Sequence, residues 1–277
     1  MSVPKRYLEE SDALALADQM IDWLKQRLAE SGAKRFVLGI SGGIDSAVVA
    51  GLCARAAGPE RVLGVMMPSS SNPDDLVEAE KVVEAFGIRH TTIELTSVTD
   101  TFYGSVPGAE TLFTDILHED AGTNLNARFQ LATANVRPRL RMMTLYYVAN
   151  LAQGIVVGTG NKSEAMIGYF TKYGDGGVDI MPLIDLYKYE VRAVASVIGV
   201  PESVITRPPS AGLWEGQTDE KEIGLTYDQL DATLAMIEAG DTSAADPAML
   251  KRVEGMSRSS AHKRQPVPQF KRLSQES

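Results

Sequence analysis

The sequence is poorest in the residues that build metal clusters and covalent staples: one cysteine, Cys53, and three histidines, His90, His118 and His262. A single thiol excludes a disulfide framework and leaves too few sulfur ligands for a zinc or iron–sulfur centre, and three imidazoles make a histidine-rich centre improbable. The same scarcity points to the reducing cytosol, hence a cytoplasmic location. No apolar run is long enough to span a bilayer. Met1 to Glu10 is polar and charged, without a signal-peptide core, so neither secretion nor membrane insertion is expected. Positive charge is also short. The 27 Lys and Arg against 36 Asp and Glu leave a net charge of −9, the wrong sign for neutralising a nucleic-acid backbone.

Apolar residues, by contrast, make up 44% of the 277, enough for a substantial core, and no repeat or low-complexity tract interrupts them. Residues 1–277 read as one domain, with an N-terminal helix at about 11–31 and a basic C-terminal tail at about 251–277. Ser11 is the expected N-cap, Leu14, Ala17, Ile21, Leu24 and Leu28 recur at helical spacing, and Gly32 is the expected stop. Short apolar runs then alternate with helical patterns. Strands are predicted at 36–40, 62–67, 91–95, 155–157 and 179–183, and helices at 45–57, 74–86, 162–170 and 187–198. Leu140, Met143, Tyr147 and Leu151 mark a further helix face. This alternation predicts an α/β domain with a mainly parallel sheet. The turn-rich stretches 68–73 and 207–226 lie outside the regular pattern, and are candidate lids over the strand ends or plain linkers.

Chemistry concentrates where the first strand feeds a helix, at Ser41-Gly42-Gly43-Ile44-Asp45-Ser46. Glycines there let the chain turn tightly and bring backbone N–H groups against an anion, the helix N-terminus adds a favourable field, and the serines add hydroxyl donors. No Gly-Lys-Ser/Thr follows, which excludes a Walker A loop, and the spacing is not that of a dinucleotide fingerprint. An acid beside a phosphate site makes sense if a divalent cation bridges the two. The plainer reading is a tight strand-to-helix turn with Asp45 as its cap.

The motif resembles that of the ATP pyrophosphatases, whose members cleave ATP between the α and β phosphates to activate a carboxylate as its adenylate. Downstream, Gly158-Thr159-Gly160-Asn161-Lys162-Ser163-Glu164, the run from Gly168 to Asp179, the run from Asn135 to Met142, Pro208-Pro209-Ser210-Ala211-Gly212-Leu213 with Asp219-Glu220, and His262-Lys263-Arg264 look like the signature of the NAD synthetases. The resemblance covers nearly the whole chain in the family's order. It implies a Rossmann-like, doubly wound sheet of the adenine nucleotide alpha hydrolase type. The implied reaction is amidation of nicotinate adenine dinucleotide by ammonia, the last step of NAD synthesis, with ATP and Mg2+, in a homodimer built partly from the N-terminal helix and the Arg139-bearing helix.

By the same resemblance, Gly39, Ile40, Ser41, Gly42, Gly43, Ile44, Asp45 and Ser46 cradle the ATP phosphates, joined by Thr159, Lys188 and Ser210, and Asp45 with Lys188 carries the catalysis. Asp45 and Glu164 hold the cation, while Arg139, Lys172, Asp179, His262 and Lys263 bind the dinucleotide. Each has an ordinary reading beside it: Glu164 as a first-turn acid complementing a helix dipole, Lys188 as a solvated lysine, Asp179 as a turn cap, Phe170 and Tyr173 as core aromatics rather than ring platforms. Cys53, two turns into a helix, reads as a core residue. A glutaminase domain has no room before Phe36, so free ammonia is the expected donor. Rival readings are a mononucleotide-amidating enzyme, a tRNA-thiolating enzyme, disfavoured by acidity and the lone cysteine, and a nucleotide sensor without turnover. Asp45, Glu164 and Lys188 are all present, which counts against the sensor.

Overall fold

Strand β1 (Arg35–Gly39) sits at the heart of a parallel sheet because its run Phe36-Val37-Leu38 is fully buried, as only a strand covered on both faces can be. The computed structural model describes residues 7–106, 125–209 and 218–272. In it β1 pairs on one side with β2 (Val62–Met66), which pairs with β3 (Arg89–Thr92), and on the other with β4 (Gly154–Val156), giving the order β3-β2-β1-β4 with every pair parallel. The chain winds outward to β3 and then returns to the far side of β1. The crevice between the C-terminal ends of β1 and β4 is therefore the point where the winding reverses, and where such sheets bind ligands.

The crossovers follow from sequence. Helix α1 (Glu10–Ser31), α2 (Ile44–Ala57) and α3 (Pro73–Phe86) come first, followed after β3 by α4 (Thr96–Ser105), α5 (Leu125–Ala134) and α6 (Val136–Ala152). Ala47, Val48, Val49, Ala50, Leu52 and Cys53 make α2 apolar almost all round, so it is buried in a cluster with α1 and the sheet. Cys53 is a core residue there, and burial raises its thiol far above the ordinary range, which leaves it inert. On the opposite face Val148 and Ala149 of α6 meet Val37, Val65 and Val156.

Past β4, α7 (Lys162–Ile167), α8 (Lys188–Val197) and α9 (Glu202–Thr206) lead to α10 (Asp219–Ile223), α11 (Tyr227–Ala239), α12 (Pro247–Ser259) and α13 (Ala261–Arg264). A second cluster, with Ile167, Tyr227, Leu230, Leu234 and Val253, packs these helices beside the crevice.

Local expectations change or are made definite. Helix α1 begins at Glu10 with Glu9 as its cap, not Ser11, although Gly32 closes it in the left-handed conformation as expected. The strand expected at 179–183 shrinks to a bridge between Val157 and Ile180, because the Asp179 carboxylate itself accepts the Val156 N–H at 2.8 Å. The apolar face marked by Met143, Tyr147 and Leu151 is 57%, 65% and 71% exposed, while the helix buries Val148 and Ala149. The basic tail is helical as far as Arg264, and three of its cations are spent on backbone carbonyls: Arg252 on Ile223, Lys263 on Gly168 and Phe170, Arg264 on Ala165 and Ser257.

Candidate active site

The loop from Ser41 to Ser46 is tied by its own hydroxyls. Ser46 Oγ donates to the Gly43 carbonyl at 2.9 Å and accepts the Ser41 N–H at 3.2 Å, while Ser41 Oγ accepts the Gly43 N–H at 3.2 Å. Gly42 has φ +79°, and a Cβ there would lie 2.4 Å from the Asp75 carbonyl of α3, so only glycine fits. Gly43 caps α2 with no side-chain hydrogen bond, which leaves the opening N–H groups of that helix as donors suited to an anion.

Asp45, in that first turn, meets two other parts of the chain. The Lys188 ammonium, on a side chain 1% exposed at the start of α8, donates to Asp45 Oδ2 at 2.5 Å and to Glu164 Oε1 at 3.4 Å. Asn161 Nδ2 donates to Asp45 Oδ1 at 3.0 Å. Asn161 also forms a capping box with Glu164, accepting its N–H at 3.0 Å while Glu164 Oε2 accepts the Asn161 N–H at 3.4 Å. Glu164 is thus both the first-turn acid and a wall of the crevice. Tyr227 lies under the group, its ring 4.8 Å from the Lys188 ammonium, and its single phenolic proton is shared between Glu164 Oε1 and Asp219 Oδ2, each at 3.1 Å. Tyr169 donates to Asp219 at 3.2 Å and to Glu222 at 2.7 Å.

Electrostatics follow from this packing. Burial lifts the Glu164 carboxyl above the ordinary carboxylate range; Lys188 opposes the shift, and Asp45 and Asp219 reinforce it. Burial alone would depress the Lys188 ammonium, but Asp45 and Glu164 outweigh it and raise its pKa, so the lysine stays charged. Asp45 and Glu164 meet one ammonium, with Asp219 beyond Tyr227, an excess of acidic groups that a bound cation would offset. Among the described residues no three His, Cys, Asp or Glu converge on one metal position. The two carboxylates, Asp45 and Glu164, could serve as protein ligands to a Mg2+ that kept its other positions for phosphates and water.

The remaining expected residues form a second group. Arg139 donates to the Lys172 carbonyl at 3.4 Å, Lys172 Nζ donates to the His262 carbonyl at 2.9 Å, and Lys263 Nζ caps the carbonyls of Gly168 and Phe170. Arg139, Lys172, His262 and Lys263 therefore meet, through main-chain oxygens. Asp179 is bonded elsewhere, to Val156 N–H and to the Tyr146 hydroxyl at 2.9 Å. Thr159 is half-buried in the loop after β4, and Ser210 lies outside the described residues. Segment 68–73 is pinned rather than loose: Ser69 is buried against Thr99 and Arg141 holds the Met67 carbonyl and Ser71. The ends of the other candidate lid are also fastened, by an Arg207–Asp75 ion pair at 2.7 Å and an Asp219 N–H to Pro209 carbonyl bond at 3.1 Å.

The sequence matches the family described as NAD synthase over residues 16–267. The chain belongs to the NAD synthase family. It is 46% identical over 231 residues to the NH(3)-dependent NAD(+) synthetase of Methanococcoides burtonii, covering 83% of this chain and 82% of that protein. To that of Archaeoglobus fulgidus it is 42% identical over 255 residues, covering 91% and 95%. Among solved structures it resembles the NMN synthetase from Francisella tularensis, with a TM-score of 0.79 and 32% identity over 93% of this chain and 98% of that one. It also resembles the NH3-dependent NAD synthetase from Campylobacter jejuni, with a TM-score of 0.75 and 28% identity over 94% and 100%. Membership in the NAD synthase family accords with the Rossmann-like fold expected from sequence.

Sequence reasoning gave no role to Asn161, Ser163, Asp219, Tyr227 or Asp231. Asn161 followed three residues later by Glu164 is a capping-box signature and was open to detection. Tyr227 and Asp231 carry no local signal, because their partners are distant in the chain.

Proposed function

We propose that the chain amidates nicotinate adenine dinucleotide with free ammonia at the expense of ATP, giving NAD, AMP and pyrophosphate. The observation that carries this reading is the convergence of the Ser41–Ser46 anion loop, two carboxylates and one buried ammonium on one crevice, in a chain whose relatives at 40–46% identity are named NH(3)-dependent NAD(+) synthetases. The nicotinate carboxylate attacks the α-phosphorus, the α–β anhydride bond breaks, and pyrophosphate leaves. Ammonia then adds to the acyl carbon of the adenylate, loses a proton, and AMP departs with the C–O electron pair.

The protein's part is positioning and charge neutralisation. Gly39 to Ser46 and the α2 N-terminus bind the phosphates, exchanging the loop's internal hydroxyl contacts for phosphate oxygens. Lys188, held charged, faces the oxygens that gain negative charge as the anhydride breaks. Asp45 and Glu164 fit a Mg2+ arriving with the nucleotide, and a bound Mg2+ neutralises charge on the leaving pyrophosphate. Thr159 and Ser210 add hydroxyls to ATP, and Arg139, Lys172, Asp179, His262 and Lys263 hold the dinucleotide. Among the described residues no helix is long and apolar enough to cross a membrane, and the reading places the enzyme in the cytoplasm, without nucleic acid. The exposed face of Met143, Tyr147 and Leu151 supports a homodimer in which a second copy covers it.

The Francisella relative's name favours a second reading, in which the mononucleotide is amidated. One assay decides between them. With ATP, Mg2+ and ammonium, the purified protein is expected to form NAD, AMP and pyrophosphate in equal amounts from nicotinate adenine dinucleotide, and none with glutamine replacing ammonium. Turnover of nicotinate mononucleotide in preference to the dinucleotide would overturn the first reading in favour of the second.

A further inference from the structure

Asp231 lies on α11, outside the crevice, and is 1% exposed. Its Oδ1 accepts the Ser163 hydroxyl at 2.5 Å and its Oδ2 accepts the Tyr189 N–H at 3.2 Å. Ser163 Oγ in turn accepts the Lys188 N–H at 3.0 Å. One carboxylate thus satisfies the opening N–H groups of α8, one directly and one through the serine, and grips the first turn of α7 at the same time. Glu164 follows Ser163 immediately, and Lys188 precedes Tyr189. Asp231 has no ion-pair partner among the described residues. Burying a carboxylate that only accepts hydrogen bonds costs free energy that a packed apolar side chain would not, and what it supplies is orientation.

We propose that Asp231 is a positioning residue for the reaction, setting the relative placement of Glu164 and Lys188 by holding together the first turns of the two helices that carry them. The inference rests on the proposed function, since it assigns both groups to MgATP. Besides this clamp, the side-chain pair Lys188–Glu164 joins the first turns of α7 and α8, and the Lys162 N–H donates at 2.8 Å to the Leu186 carbonyl just ahead of α8, a single bond that leaves the helix still able to pivot. If the clamp is released, the ammonium and the carboxylate shift relative to Asp45 and to the phosphates. A misplacement of this size is costly to a reaction that depends on alignment.

The test compares Asp231→Asn, Ser163→Ala and Ser163→Thr with the unsubstituted chain, well below the unfolding transition of each. For the first two, kcat with saturating substrates is expected to fall on the order of tenfold or more, or calorimetric MgATP binding to weaken by a similar factor. Affinity for nicotinate adenine dinucleotide should stay within about twofold, and Ser163→Thr, which keeps the hydroxyl, should restore most of the loss. A merely structural clamp would lower Tm and leave kcat and MgATP affinity within about twofold, and that result overturns the proposal. So does an equal loss of dinucleotide affinity, which would indicate general loosening. If Asp231→Asn does not fold, the two serine variants carry the same comparison. Should the unsubstituted chain make no NAD, the proposed function fails by that measurement alone, while MgATP affinity in the variants still judges the clamp.

Discussion

Lys188 and Asp45 stand 143 residues apart in sequence, yet the lysine ammonium donates to the aspartate at 2.5 Å in the crevice between β1 and β4. One ammonium serves two carboxylates there, because Glu164 Oε1 also lies 3.4 Å from it. Cation and anions are each sparsely solvated, so each depends on the others for the interactions water would have supplied.

Replacing Lys188 by Met is therefore expected to weaken both stability and activity. Removing one partner from a buried charge group costs about 3–5 kcal/mol, and losing a preorganised positive charge at the phosphates lowers kcat by roughly two orders of magnitude or more. Urea unfolding and steady-state kinetics measure the two effects separately. Lys188→Met with unchanged kcat would remove the lysine from the mechanism.

Gly42→Ala tests the loop without touching a charge. The new Cβ meets the Asp75 carbonyl, and alanine is strained at φ +79°, so we expect a loss on the order of 1–3 kcal/mol as the loop and α3 move apart. MgATP binding by calorimetry should fall with it. Wild-type stability in this variant would show that the loop and α3 do not approach as closely as described.

Asp231 also makes a pH prediction. Burial pushes its carboxyl up to about 6, against the hydrogen bonds from Ser163 and the Tyr189 N–H. The folded protein therefore holds this proton more tightly than the unfolded chain does. The resulting stability is complete below about pH 4 and is lost as pH rises to about 6. Over that interval the stability of the wild type relative to Asp231→Asn should fall by at most roughly 3 kcal/mol, as read from urea titrations at several pH values. A flat difference would mean that the carboxyl titrates as in water.

The exposed α6 face gives the fourth expectation. A second copy covering Tyr147 and Leu151 makes the double substitution Tyr147→Glu, Leu151→Glu a monomer in sedimentation, with little loss of monomer stability because neither side chain is in the core. A wild-type chain that already sediments as a monomer removes the homodimer from the reading.

Much of the site was legible because its chemistry is local. The apolar run at Phe36-Val37-Leu38, the glycines after it and Asp45 occupy one strand–loop–helix unit, and the sequence pattern places all of them. Glu164 and Lys188 were reached only through resemblance, since a first-turn acid and a single lysine are common on any helix. Asp219, Tyr227 and Asp231 were not given roles, because long-range hydrogen bonds leave no periodicity behind. Hydrophobic spacing identified α6 and its apolar face at Met143, Tyr147 and Leu151, but an apolar stripe does not tell a core face from an exposed one, and here the face is exposed. Asp179, expected at the dinucleotide, is also bonded to the edge of β4 and to Tyr146, contacts that no local pattern announces.

The bond from Asp219 N–H to the Pro209 carbonyl brings residues ten positions apart into contact, two bonds away from Glu164 through Tyr227. The bond closes the chain into a neck at these two residues. Changing the length of a loop closed in this way costs little, about 0.6 kcal/mol for each doubling, because the entropy of closing a loop grows only with the logarithm of its length. The neck thus fixes where residues 209 and 219 stand, and with them the carboxylate that Asp219 joins through Tyr227, at an entropic cost that depends only weakly on the length of chain it closes.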